Sequence, residues 1–305
     1  MFRRNPVSVA NDVRYLAARI LGKSDDQDAV TALVETLDDP DPELVRTRIL
    51  SLAAIASRDR ANQDANKEGY LTRRYSPRAF MAFHTGMRLL PMLNSENRDM
   101  RLAVVRALGA IGQGIGRDEI GSGAIEPGDA EPETMDNIAD NRHAAVSGPI
   151  IMALLARLED NDITVRIEAI RSASVLGVDA RTQSRTSQGA IHQSQIEHLV
   201  GRFKDMLQAP ETSVRIAVAR GIAHLLQHTD TKNTSALTQD MMPDTMDALV
   251  HTGFLGTGDE VREIARVMKH LDPRQATIRV LARLGALSNS AERRFAIEML
   301  EEILK

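Results

Sequence analysis

The chain has 305 residues, 43% of them hydrophobic, 26% charged and only 3% aromatic, with a net charge of −4. It contains no cysteine, which excludes a disulfide framework, a zinc-thiolate site and a thiol nucleophile, and its negative balance is unlike that of a general polyanion binder. No stretch reaches the roughly 18 uninterrupted apolar residues of a membrane span, and the opening MFRRNPVSVANDVRYLA lacks an apolar leader core, so a cytoplasmic location is expected.

The predicted elements, in chain order, follow an internal repeat. A first amphipathic helix, VRYLAARILG from Val13, has no partner before it. DAVTALVETL from Asp28 comes next; the turn DDPDPE at 38–43 separates it from VRTRILSLAA at Val45. After a polar insertion at 58–77, FMAFHTGMRLLPML from Phe80, the turn NSENRD at 94–99 and MRLAVVRALG from Met100 repeat the order. Residues 112–143 are rich in Gly, Pro and acids, with eight acidic residues against two arginines, and are predicted to be the most mobile insertion. IIMALLARL from Ile150, EDNDIT at 159–164 and VRIEAIRSAS from Val165 form the next unit. Beyond the insertion 178–190 stand IEHLVGRFKDML from Ile196, APET at 209–212 and VRIAVARGIA from Val214. Beyond 229–240 come MDALVHTGFL from Met246, GTGD at 256–259 and VREIARVMKH from Val261. RQATIRVLARLGAL from Arg274, SNSA at 288–291 and the degenerate ERRFAIEMLE from Glu292 close the series.

Each unit therefore reads as helix, polar capping turn, second helix. The second helices carry an arginine, Arg14, Arg46, Arg101, Arg166, Arg215, Arg262 or Arg293. Three residues after each stands Ala17, Ile49, Val104, Ala169, Val218, Ala265 or Ala296, a recurrent stripe expected to be buried. These arginines are expected to be structural, reaching acids of an adjoining turn such as Asp39, Asp41, Asp160, Asp162, Glu211 or Asp259, or backbone carbonyls.

Segments such as LDDPDPELVRTRILSLAAIA and LEDNDITVRIEAIRSASVLG resemble HEAT repeats, especially the short type found in phycobilin lyases and adaptor proteins. The resemblance implies one all-α domain over 1–305, a right-handed α-solenoid of about seven helical hairpins with long loops. The arginine spacings of 32, 55, 65, 49, 47 and 31 depart from a regular array.

The glycines of GQGIG, Gly112, Gly114 and Gly116, follow a helix rather than a strand, so they read as a helix stop and not as a phosphate loop. His224 and His228 lie one turn apart, but two ligands do not close a metal site. HEAT-like deoxyhypusine hydroxylases use His-Glu pairs, and this chain has no such dipeptide. HEAT-like DNA glycosylases use a basic, aromatic-bearing surface, whereas this chain has no Trp. No catalytic residue, metal or cofactor is assigned. The expected function is a non-enzymatic scaffold or adaptor holding another protein, with a HEAT-like enzyme (phycobilin-lyase-like or DNA-glycosylase-like) or passive nucleic-acid binding as the competing readings.

Two basic features are candidate contacts for an acidic protein segment. One is the run Arg73, Arg74, Tyr75 and Arg78. The other is a second arginine five residues after the first, at Arg19, Arg106, Arg171 and Arg220, with gaps at Ser51, Val267 and Glu298. If the second helices line a concave side, as the resemblance implies, these arginines form an interrupted row whose planar guanidinium groups suit carboxylates.

Overall fold

A computed structural model describes residues 6–24, 26–65, 85–112, 149–182, 189–227, 236–287 and 289–305. Every regular element among them is helical: α1 (Pro6–Leu21), α2 (Gln27–Glu35), α3 (Pro42–Ala65), α4 (85–89, tightening into a 3-10 turn, Leu90–Asn94) and α5 (Arg98–Gly112). α6 (149–156, tightening into Arg157–Glu159), α7 (Ile163–Thr182), α8 (Gly189–Met206) and α9 (Thr212–Gln227) follow. α10 (Ala236–Leu255), α11 (Gly258–Leu271), α12 (Pro273–Ala286) and α13 (Ser290–Leu304) complete the chain.

The result is an all-α, solenoid-like arrangement of helical hairpins. The chain divides into two compact units, Met1–Ser172 and Ala173–Lys305, with the division inside α7. In the first unit α2 packs on α3, and the second helices α1, α3 and α5 stack in succession. In the second unit α8 packs on α9, α10 on α11 and α12 on α13, while α9, α11 and α13 stack in the same way. The insertion expected at 58–77 begins later than predicted, because α3 continues to Ala65. That at 112–143 lies outside the described residues except for Gly112, the last residue of α5.

Capping sets the register of the second helices. Asp41 accepts from the backbone amides of Glu43 and Leu44, Asn97 from those of Asp99 and Met100, and Asp162 from those of Thr164 and Val165. Asn289 does the same for Ala291. Glu211 and Thr257 hold the equivalent place before α9 and α11. At Asp41, Asn97, Asp162 and Asn289 the helix begins where a side-chain oxygen satisfies amides that have no intrahelical acceptor, whereas Thr257 makes no such side-chain bond. The carbonyl of each capping residue then accepts from the fourth amide after it, which belongs to Val45, Arg101, Arg166, Arg215, Val261 or Arg293.

Counted from the cap, two rows of the helix are closed to solvent. The eighth residue is Ile49, Val105, Ile170, Ala219 or Ala265, and the eleventh is Leu52, Leu108, Ala173, Ile222 or Met268; all ten are fully buried. Of the stripe expected from the repeat, Ile49, Val104, Ala169, Val218, Ala265 and Ala296 are buried, but Ala17 is exposed. α1 is not preceded by a first helix among the described residues, so nothing described covers that face.

Small residues bring second helices together. A Cβ added at Gly22 would lie 2.6 Å from Cβ of Ser51, and one at Gly109 would lie 2.7 Å from Cβ of Ser172. The Gly109 contact lets the hydroxyl of Ser172 donate to the carbonyl of Val105 at 3.2 Å. No described helix is long and apolar enough to cross a membrane.

Candidate functional site

The repeat arginines separate into two groups according to the cap. In α5, α7, α9 and α13 the arginine is the fourth residue after the cap; in α3 and α11 a valine takes that place and Arg46 and Arg262 come one residue later. One residue is about 100° of helix. That rotation changes what the side chain meets.

Arg101 shows the first environment. Its Nε and Nη2 donate to the two oxygens of Asp160 at 2.8 and 2.9 Å, while Nη1 donates to the carbonyls of Ser95 and Glu96 at 2.9 and 3.0 Å. The side chain is 14% exposed. The carboxylate comes from the turn before the next second helix, so the arginine joins one hairpin to the following one. Those bonds hold the Arg101 guanidinium above its ordinary pKa. Burial pushes the Asp160 carboxyl up, but the bonds from Arg101 and the amide of Asp162 outweigh it and leave the group below its usual range.

Arg215 repeats this geometry from different residues. Nε and Nη2 donate to Glu260 at 2.6 and 2.8 Å, and Nη1 donates to the carbonyls of Ala209 and Pro210 at 2.7 and 3.0 Å. Glu260 is fully buried. It occupies the third position after the cap, where α3, α5, α7 and α9 carry Leu44, Met100, Val165 and Val214 and α13 carries Glu292. Sequence reasoning pointed to Asp259 for this turn, but that side chain faces solvent and only approaches Arg262, at 3.6 Å. Arg293 departs from this geometry: its Nε, which in Arg101 and Arg215 holds the carboxylate, donates to the carbonyl of Leu287 at 2.9 Å.

The shifted helices differ. Arg46 pairs with Glu43 of its own helix at 2.6 Å, and Arg262 with Glu298 of α13 at 3.2 Å. In α3 the shift also turns Arg48 into the buried stripe, a residue the repeat did not single out. Asp39 bridges Arg14 of α1 and Arg48, and Arg48 also donates to the carbonyl of Thr36. The Asp41 amide, which donates to Asp39, and the two arginines outweigh burial and hold that carboxyl low.

The second arginine of each repeat falls on the ninth position after the cap. Arg106, Arg171 and Arg220 keep that place, and the one-residue shift puts Leu50 and Arg266 there instead of Ser51 and Val267. All four arginines are exposed. Arg106 and Arg171 approach a single carboxylate, Glu168, at 3.7 and 4.0 Å. Arg220 donates to Glu263 at 2.7 Å, Arg266 to Glu302 at 2.8 Å, and Lys305 to Glu302 at 3.1 Å. The hydrogen bond from Arg220 holds Glu263 below the usual carboxylate range, and that from Arg266 does the same for Glu302. Arg19 lies exposed on α1. Arg73, Arg74, Tyr75 and Arg78 lie outside the described residues, as do Gly114, Gly116 and His228. Among the described residues no group of three or more His, Cys, Asp or Glu could hold a metal ion.

A family profile described as HEAT repeats matches residues 9–64, the stretch from α1 through α3. No curated protein matches the chain. Similar solved structures include an engineered protein with 19% identity and a TM-score of 0.49, covering 90% of this chain and 96% of its own. A designed armadillo repeat protein in complex with the peptide (KR)4 has 14% identity and a TM-score of 0.48, covering 89% of this chain and 98% of its own.

Proposed function

We propose that the chain is a HEAT-like, non-enzymatic interaction scaffold of the cytoplasm whose second helices hold an acidic segment of another protein. The observation that carries this reading is the shortage of carboxylate beside Arg106 and Arg171. They share Glu168 at 3.7 and 4.0 Å, too far for hydrogen bonds, with side chains 48% and 78% exposed. Their planar donor forks remain open to a partner carboxylate, which can accept two parallel bonds from one guanidinium. Arg220 and Arg266 already hold glutamates, so they add less.

A short labelled glutamate-rich peptide titrated against the full chain tests the reading by fluorescence anisotropy. The double variant Arg106→Gln/Arg171→Gln should bind it about five- to thirtyfold more weakly, as two exposed charged contacts of about 0.5–1 kcal/mol each imply. Equal affinity would discard these arginines as the site. Tight binding to duplex DNA with a steep salt slope would replace the acidic protein segment by nucleic acid.

A further inference from the structure

The contact of α1 with α3 has the register of the contact of α5 with α7, but different residues stand at its charged places. Gly22 meets Ser51 as Gly109 meets Ser172. Arg19 precedes Gly22 by three residues, as Arg106 precedes Gly109, and Thr47 precedes Ser51 by four, as Glu168 precedes Ser172. Thr47 therefore holds the place of Glu168, and Leu50 that of Arg171. Arg106 has Glu168 at 3.7 Å. Arg19 pairs with no carboxylate among the described residues, because the matching residue of α3 is a threonine, whose hydroxyl donates to the carbonyl of Glu43 at 2.9 Å. What Arg19 lacks is thus set by α3, inside the array, and not by anything beyond α1.

Along α1, α3 and α5 the row then reads Arg19, Leu50, Arg106, an aliphatic side chain between two open guanidinium groups. Leu50 is 37% exposed where α5, α7 and α9 carry arginine, and Ala54, one turn further along α3, is exposed beside it. The three helices stack in succession, and packed helices lie about 8–10 Å apart. A polyproline-type chain rises about 9 Å in each turn of three residues and returns every third side chain to the same face. One turn of such a chain therefore advances by one helix.

We propose that α1, α3 and α5 seat an extended partner segment in which an acidic, an aliphatic and a second acidic residue follow at intervals of three, meeting Arg19, Leu50 and Arg106 in turn. Arg19 takes the first carboxylate on its planar donor fork and Arg106 the second. The aliphatic side chain covers Leu50 and Ala54 and removes their apolar surface from water. An acidic residue in that middle place would instead bring a carboxylate against Leu50, where no donor meets it. The inference rests on the reading of Arg106 and Arg171 as the site of an acidic segment and adds the sequence pattern of that segment.

A labelled peptide Glu-Pro-Pro-Leu-Pro-Pro-Glu, titrated against the full chain by fluorescence anisotropy, is the probe. It should bind saturably, and more tightly than the same peptide with Ala for Leu or the shortened Glu-Pro-Leu-Pro-Glu. Arg19→Gln should weaken binding about two- to fivefold, as one exposed charged contact implies. Leu50→Ala, with helical circular dichroism retained, should weaken it about five- to tenfold, as loss of a half-buried aliphatic contact implies, and should leave the Ala peptide nearly unaffected. No saturable binding, equal affinity for the shortened peptide, or indifference to both Arg19→Gln and Leu50→Ala overturns the proposal. If the glutamate-rich peptide still depends on Arg106 and Arg171 in that event, the pattern alone fails and the acidic-segment site stands; if neither peptide responds to Arg106→Gln/Arg171→Gln, both fail.

Discussion

α9 and α11 are neighbouring second helices of one unit, and each opens on Val-Arg, yet the two arginines live in different surroundings. Arg215 is 11% exposed and bound on all three nitrogens by Glu260, two carbonyls and the hydroxyl of Thr212. Arg262 is 48% exposed and meets Glu298 and Asp259 at 3.2 and 3.6 Å. The difference is one residue in the distance from the cap. Arg215, at the fourth position, is closed into the seam by two bonds to Glu260, whereas Arg262, at the fifth, reaches Glu298 of α13 from a half-exposed place. The same step brings Glu260 to the third position, where a carboxylate can be buried because Arg215 meets it with two bonds.

The comparison is broken most severely at the buried pair. Glu260→Ala leaves the Arg215 guanidinium in the seam without its carboxylate, and chemical denaturation should register a loss of about 3–5 kcal/mol. A loss below about 1 kcal/mol would mean that the seam rearranges around the charge. Next in size is Gly109→Ala, since the added Cβ would meet Ser172, whose Cα lies 3.2 Å away. Overpacking of this kind costs about 1–3 kcal/mol, while the same substitution at exposed Gly285, which has nothing within 4 Å, should stabilise the helix by a few tenths of a kcal/mol to about 1 kcal/mol.

Acid should sharpen the contrast further. The carboxyls of Asp160 and Asp162 are held below their ordinary values in the folded chain. Their contribution is therefore fully present above the unfolded carboxylate range, about pH 4, and is lost as pH falls through the folded values. Asp160→Asn should make stability measured between pH 7 and pH 3 less steep on its acid side; an unchanged slope would remove Asp160 from the account. The smallest effect belongs to the solvent-facing group. Arg262→Ala should change stability by less than about 1 kcal/mol, and a larger loss would erase the distinction from Arg215.

Much of this architecture was legible in the residues. DDPDPE, NSENRD, EDNDIT and SNSA mark the turns that Asp41, Asn97, Asp162 and Asn289 cap, because a short oxygen-bearing side chain before an apolar run has a direct physical use. The buried stripe was legible for the same reason, except at Ala17, where burial depends on a neighbour rather than on periodicity. Register was not legible. A Val-Arg pair looks alike at the third and fourth or the fourth and fifth positions, and only the capping hydrogen bonds show that Val45 and Val261 stand where other units have arginine. Arg48 and Glu260 escaped notice through that same slip, since each is a charged residue occupying an apolar position. The exposed arginines at 106, 171 and 220 were visible from spacing, but Arg266 entered the set only once the cap was located.

The central claim is that distance from the cap decides how deeply Arg215 and Arg262 are bonded into the seam, although both reach the next second helix. Double-mutant cycles on Arg215 with Glu260 and on Arg262 with Glu298, measured by denaturation under one set of conditions, compare the two environments directly. The account predicts a coupling of about 2–3 kcal/mol for the first pair and less than about 1 kcal/mol for the second. Equal couplings, or a larger one for Arg262 with Glu298, would contradict it.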